Sequence, residues 1–114
     1  MEDMIEKLKG LNIDTQTGEE NLGEEYIPEL LKYVKSLDFM RLGQAVNSGR
    51  WESAMMTVRR MTLQAEKLGL KCFERQFTGL RQNIARKDAN EVKNILSLVI
   101  RKRIQIQNVL LNKD

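Results

Sequence analysis

The sequence predicts an all-α protein, an antiparallel four-helix bundle with a short extra helix at the N-terminus. Apolar residues recur at three- and four-residue spacing through most of the chain, which is the period of an amphipathic helix. A single proline and few aromatic residues argue against a β-sandwich. Short connections between the periodic segments favour antiparallel neighbours. The 114 residues suit one domain. We place it over 1–114, with an N-terminal helix and loop over 1–18 and the bundle over about 24–112.

The N-terminal part is predicted to add one short helix and one loop to the bundle. Residues 2–9 form the helix, with their apolar side chains on one side. Residues 10–18, GLNIDTQTG, are predicted to be a loop because Gly, Asn, Asp and Thr dominate them. We expect Leu11 and Ile13 to pack this loop onto the bundle.

The first part of the bundle is predicted between residues 24 and 47. Pro28 is compatible with a helix there because it falls near the helix start. The pattern does not decide between one helix with a kink near Asp38 and two separate helices. The segment 47–50, NSGR, then breaks the chain. The residues expected to face the core are Ile27, Leu30, Leu31, Val34, Leu37, Phe39, Leu42, Ala45 and Val46.

Three further helices complete the predicted bundle. The first covers 51–68 and ends at Gly69, the second covers about 70–86, and the third covers about 89–111. Residues 88–91 fit a variant of the capping box at the start of the last helix. The residues expected to face the core are Trp51, Ala54, Met55, Val58, Met61, Ala65, Leu68, Phe73, Phe77, Leu80, Ile84, Val92, Ile95, Leu96, Val99, Ile106, and Val109 or Leu110.

Charge is distributed unevenly along the chain, although the net charge is only +3. Residues 1–38 carry a net charge of −6, residues 39–70 of +3 and residues 71–114 of +6. Such asymmetry suggests nucleic acid or an acidic partner, or else opposite charges that pair between helices. The basic run at 101–103 spreads around its helix, and no aromatic residues interleave with the basic ones. We therefore favour pairing between helices and expect no nucleic-acid partner.

Residue types required for common catalytic sites are missing. The chain has no histidine, so it lacks the commonest general base and the commonest metal ligand. Its seven glycines are dispersed and form no phosphate-binding loop. The acidic cluster at 19–25 is typical of solvated charge near the start of a helix. We therefore predict that the protein is not an enzyme and uses neither a metal nor a cofactor.

A cytoplasmic location without membrane contact is also expected. The lone Cys72 cannot form an internal disulfide and is typical of a buried small hydrophobe in a reducing compartment. The first nine residues lack the apolar core of a signal peptide. The longest apolar run near the C-terminus, ILSLVI, is too short to span a bilayer.

The helix over 51–68 carries unusual residues on its second face. Met56 and Leu63 lie within about 100° of Arg59 around the helix axis, as does Arg60, all away from the predicted core. Scattered surface hydrophobes covered by arginine stems explain this pattern. A partner-docking face with a central cation explains it equally well. Periodicity alone leaves both explanations open.

The stretch GRWESAMMTVRRMTLQAEKLGL resembles the histidine-phosphotransfer (HPt) domain of two-component phosphorelays, with similarity over roughly residues 11–105. Family members carry a pattern like W-E-x-x-x-x-x-A-H-x-L-K-G followed by L-G. The anchors at 51–52 and 68–69 both place the family's phosphorylatable histidine at Arg59. The family's following lysine falls on Thr62 and its glycine on Leu63.

The resemblance implies the bundle and its docking surface but not the chemistry. Family members accept a phosphoryl group on the histidine, whereas Arg59 stays protonated and is not a nucleophile near neutral pH. The resemblance thus implies a non-catalytic pseudo-phosphotransfer module that docks a response-regulator receiver domain or a related signalling protein. Arg59 would pair with the receiver's aspartate or with phosphate on it. The expected partner-binding residues are Met56, Arg59, Arg60, Thr62 and Leu63.

Two other functions remain open at this point. The chain is alternatively a structural or oligomerisation bundle, because Ile100, Ile104 and Leu111 form a second apolar set on the last helix. That set would serve self-association, or the N-terminal helix would cover it. The chain could also act as an accessory that positions a histidine-bearing relay component.

Overall fold

The computed structural model describes residues 2–113, and all regular secondary structure in this part of the chain is helical. Met1 and Asp114, the ends of the predicted domain, lie outside the described residues. Within the described part, no helix is long and apolar enough to cross a membrane. The helices are α1 (Glu2–Gly10), α2 (Thr15–Leu22), α3 (Tyr26–Val34), α4 (Asp38–Asn47), α5 (Trp51–Lys67), α6 (Glu74–Ala85) and α7 (Ala89–Leu110), with short 3₁₀ turns at Gly23–Glu25 and Lys71–Phe73.

The four C-terminal helices pack in chain order. α4 packs on α5, α5 on α6, and α6 on α7, and α7 also contacts α3 and α4. Short turns between successive helices make neighbours antiparallel. The close approach of Gly79 to Ile95 illustrates this arrangement, because a Cβ on Gly79 would lie 3.1 Å from the Ile95 Cδ1 atom. These two residues are equally far from the turn that joins α6 to α7.

The segment 24–47 forms two separate helices. α3 ends at Val34, and α4 begins at Asp38, whose backbone N–H donates to Ser36 Oγ at 3.1 Å. The turn changes the helical phase, so Leu37 is 56% exposed. The prediction that Leu37 faces the core was therefore wrong.

Of the predicted loop 10–18, only residues 11–14 lie outside the helices. Residues 15–18 belong to α2, so the prediction of a loop there was wrong. Asp14 caps this helix: its Oδ1 accepts the Thr17 backbone N–H at 3.1 Å and its Oδ2 accepts the Thr17 hydroxyl at 2.7 Å. These bonds lower the pKa of Asp14. A second interaction that orders α2 is the close packing of the Tyr26 ring against Gly18. Any Cβ at position 18 would overlap this ring.

The end of α5 is held by the N-terminal part of the chain, in an arrangement we call the α5 clasp. The carbonyl oxygens of residues 67, 68 and 69 accept hydrogen bonds from residues that lie before α3 or at its first position. The pairs, donor first, are Asn21 Nδ2 and Lys67 O at 2.9 Å, Tyr26 Oη and Leu68 O at 3.0 Å, and Asp14 N and Gly69 O at 2.7 Å. The clasp satisfies carbonyls that a helix C-terminus otherwise leaves without partners.

Most of the predicted core is buried. Phe73, Phe77 and Leu80 lie at its centre, and Tyr33 and Phe39 pack edge to face with ring centroids 5.7 Å apart. Asp88 caps α7, since its Oδ1 accepts the Glu91 N–H at 3.1 Å. The reciprocal bond of the predicted capping box does not form, because the Asp88 N–H donates to Asn83 O at 2.9 Å. Some predicted core residues are only partly buried, namely Ile27, Leu31, Trp51, Met55, Ile95 and Val109.

Candidate docking site

The outer face of α5 presents a cation between two exposed apolar side chains. Met56 is 66% exposed and Leu63 is 68% exposed. Arg59 lies between them, at spacings of three and four residues that place all three on one face of the helix. Among residues 2–113, no hydrogen-bond or ion-pair partner of Arg59 is found. We call Met56, Arg59 and Leu63 the Arg59 face.

Arg60 differs from its neighbour because it is bound to α4. Its Nε and Nη2 atoms donate to the two carboxylate oxygens of Asp38 at 3.2 and 2.9 Å. Asp38 is buried, and a nitrogen of Arg41 lies 3.8 Å from the same carboxylate. The hydrogen bond to Asp38 raises the pKa of Arg60. The structure thus separates the two adjacent arginines that sequence reasoning had grouped. Arg60 joins α5 to the start of α4, whereas Arg59 is exposed and has no partner among the residues that the structure describes.

Thr62 links α5 to α6. Its hydroxyl donates to Val58 O at 2.7 Å and accepts the Arg81 Nη1–H at 2.9 Å. The other terminal nitrogen of Arg81 donates to Thr78 Oγ1 at 3.3 Å. Sequence reasoning missed Arg81, because its partner Thr62 lies 19 positions away and no local spacing signals the contact.

Exposed apolar side chains also occur at the start of α4. Leu37 is 56% exposed and Met40 is 53% exposed. They come one residue before and two residues after Asp38, the residue that binds Arg60. Of the six exposed large hydrophobic side chains in the described chain, four lie on α5 or at the start of α4, and the other two, Leu98 and Ile104, lie on α7.

A cleft of about 360 Å³ opens on the α6 side of the Arg59 face. Thr62, Thr78 and Arg81 line one part of it. The part nearer the connection between α5 and α6 also carries charged groups of both signs. These are Asp14, Glu66, Lys71 and Glu74, of which Lys71 lies 4.0 Å from the Asp14 carboxylate.

The second apolar set predicted on the last helix is only partly covered. α1 packs against α7, and Ile100 and Leu111 are half-buried. Ile104 remains 46% exposed, as does Leu98 at 49%. Leu98 and Ile104 are about 120° apart around the axis of α7, so they are two separate exposed apolar side chains.

Three potentially nucleophilic side chains, those of Cys72, Tyr26 and Tyr33, have raised pKa values. Burial raises the pKa of the Cys72 thiol to about 11 and that of the Tyr26 phenol to about 12. Burial also raises the pKa of Tyr33, whose hydroxyl donates to Met61 O at 2.9 Å. In the part of the chain that the structure describes, no three acidic or cysteine side chains converge where a metal ion would bind.

Comparison of the chain with protein families, with curated proteins and with solved structures finds no match.

Proposed function

We propose that this chain is a non-catalytic pseudo-phosphotransfer module that docks the receiver domain of a response regulator and relays no phosphate itself. The observation that carries the proposal is Arg59, an exposed cation in the middle of α5 that has no hydrogen-bond or ion-pair partner in the described part of the chain. It occupies the position that the motif resemblance assigns to the phosphorylatable histidine.

The packing order of the helices supports the proposed HPt-like four-helix bundle. α4 to α7 each contact the next helix, and α7 returns to α4, as expected of a closed bundle. α3 contacts α7 and bonds to α5 through the Tyr33 hydroxyl, α1 contacts α7, and α2 contacts α3 and α5. In such a bundle the outer face of α5 is accessible to a second protein.

The chemistry of the Arg59 face suits an acidic pocket with an apolar rim. A receiver domain carries its phosphorylatable aspartate among other acidic residues, and a guanidinium binds a carboxylate or phosphate through charge-assisted hydrogen bonds. Met56 and Leu63 supply apolar area that would be buried around this contact. Docking of this kind sequesters or senses the receiver.

The test is a pull-down from lysate of the source organism, followed by titration of each purified receiver domain that is retained. We expect Arg59→Glu to abolish receiver binding. Arg75→Glu is the matched control, because Arg75 is exposed in the first turn of α6, where an acidic side chain is compatible with the helix dipole. If Arg59→Glu binds the receiver as tightly as the wild type, or if no receiver is retained, the proposal is wrong.

The apolar set Ile100, Ile104 and Leu111 on α7 favours a second candidate function, self-association through the last helix. These three residues share one side of α7, and Ile104 remains 46% exposed although α1 packs against this helix. Sedimentation velocity across the micromolar range tests this function. A dimer that Ile104→Glu dissociates supports it, and a monomer at every concentration excludes it.

A further inference from the structure

We propose that Arg81 joins Arg59 in a binding site for a dianionic phosphoryl group, so that the module prefers the phosphorylated form of its receiver. This inference rests on the proposed function above for its partner. The position of the Arg81 guanidinium on Thr62, three residues from Arg59 on the same helix, carries it.

Arg81 carries a charge that its neighbours leave uncompensated. The guanidinium is half-buried and donates only to the neutral hydroxyls of Thr62 and Thr78. Among residues 2–113, no carboxylate lies within ion-pair distance of it. Arg60 and Arg41, in contrast, share the carboxylate of Asp38. A guanidinium has five N–H donors, so Arg81 keeps donors for a further acceptor.

Thr62 brings Arg81 to the edge of the Arg59 face. Arg59 and Thr62 are three residues apart on α5, which makes them neighbours on the helix surface. The Thr62 hydroxyl gives its proton to Val58 O, so toward Arg81 it acts as an acceptor. It therefore fixes the orientation of the Arg81 guanidinium one turn from Arg59. An anion seated between Thr62 and Arg59 would contact both cations.

The charge of the ligand decides which receiver state this pair favours. One guanidinium satisfies a bare carboxylate, whereas a phosphoryl group carries about −1.5 to −2 charge and three acceptor oxygens. Two cations without carboxylate partners match that larger charge. The acidic residues of the same cleft oppose anion binding only in part, because Asp14 is already engaged by Lys71 and Thr17. Glu66 and Glu74 lie nearer the connection to α6 and are exposed.

The first experiment uses inorganic phosphate as the probe and acetate as the monoanionic control, at constant ionic strength. The Nε–Hε signals of the arginines are followed by NMR in the full chain. We expect phosphate to shift the signals of Arg59 and Arg81 saturably, at least about tenfold more tightly than acetate. Arg81→Gln should remove this preference and Arg81→Lys should restore part of it. Arg75→Gln should leave it unchanged. Equal shifts by both anions, or a preference that survives Arg81→Gln, would overturn the two-arginine site.

The second experiment uses a receiver domain retained in the pull-down, with and without beryllofluoride on its aspartate as a phosphoryl mimic. We expect the beryllofluoride form to bind about tenfold more tightly, and Arg81→Gln to equalise the two forms without abolishing binding. Equal binding of both forms to the wild type overturns this inference and leaves the proposed function standing. If the pull-down retains no receiver, the proposed function is wrong. The phosphate titration then still tests whether Arg59 and Arg81 form an anion-binding site.

Discussion

The two adjacent arginines of α5 should differ sharply in their contribution to stability. Arg60→Gln removes a guanidinium that makes two hydrogen bonds to Asp38. The Asp38 side chain is 10% exposed and that of Arg60 is 49% exposed. Breaking a fully buried pair costs about 3–5 kcal/mol, and an exposed pair contributes about 0.2–1 kcal/mol. After the substitution, Arg41 would still lie 3.8 Å from the Asp38 carboxylate and would partly compensate its charge. We therefore expect Arg60→Gln to lower the free energy of unfolding by about 1–2 kcal/mol.

Arg59→Gln is the matched comparison, because this side chain has no partner in the described chain. We expect it to change the free energy of unfolding by less than about 0.5 kcal/mol. Urea denaturation followed by circular dichroism measures both values, and about 1 kcal/mol corresponds to a shift of about 4 °C in Tm. In an Asp38→Asn background, Arg60→Gln should lose most of its effect. Equal destabilisation by the two arginine variants would refute the division of roles between them.

Three further predictions concern other parts of the chain. Leu80→Ala should lower the free energy of unfolding by about 2–5 kcal/mol in urea denaturation, because Leu80 is fully buried, whereas Leu37→Ala should change it by less than about 0.5 kcal/mol. The pKa of Asp14 is lowered in the folded chain, so its cap on α2 stabilises the protein above the ordinary carboxyl pKa and this stabilisation is lost as the pH falls through the lowered value. Unfolding measured from pH 6 to pH 2 should therefore show a shallower acid limb in Asp14→Asn, and an unchanged limb would contradict the cap. Cys72 should react with iodoacetamide at pH 8 far more slowly than free cysteine, as measured by mass spectrometry, because burial raises its pKa to about 11. Labelling at the free-cysteine rate would show that the thiol is accessible.

Local patterns predict most of the helices but not the points where distant residues decide the local structure. The apolar period of α5 and α7 and the glycine after α5 are sufficient for those elements. Residues 15–18 were predicted as loop because Thr and Gly disfavour helix interiors. These residues are helical because Asp14 caps the segment and Gly18 packs against Tyr26. The local sequence does not indicate the contact with Tyr26. Leu37 matched the apolar period of α3 but follows the helix end, so the period no longer applied to it.

The candidate site is likewise predictable from local sequence patterns only in part. The outward position of Met56, Arg59 and Leu63 follows from helical periodicity on α5. The difference between Arg59 and Arg60 depends on Asp38, which is 22 positions from Arg60. The role of Arg81 depends on how α6 packs against α5. Such pairings arise from tertiary packing, and no short-range spacing in one sequence encodes them.

The α5 clasp bears on the order in which the chain folds. α4 to α7 are joined by short turns and contact their neighbours in sequence, which favours early formation. The side-chain bonds of the clasp join residues 42 and 46 positions apart, so a long loop must close before they form. We therefore expect the clasp to form late and to open first in hydrogen exchange, which releases α2 while α4 to α7 stay folded. The Arg59 face lies on the helices expected to form first, so we expect it to be complete before the N-terminal residues have docked.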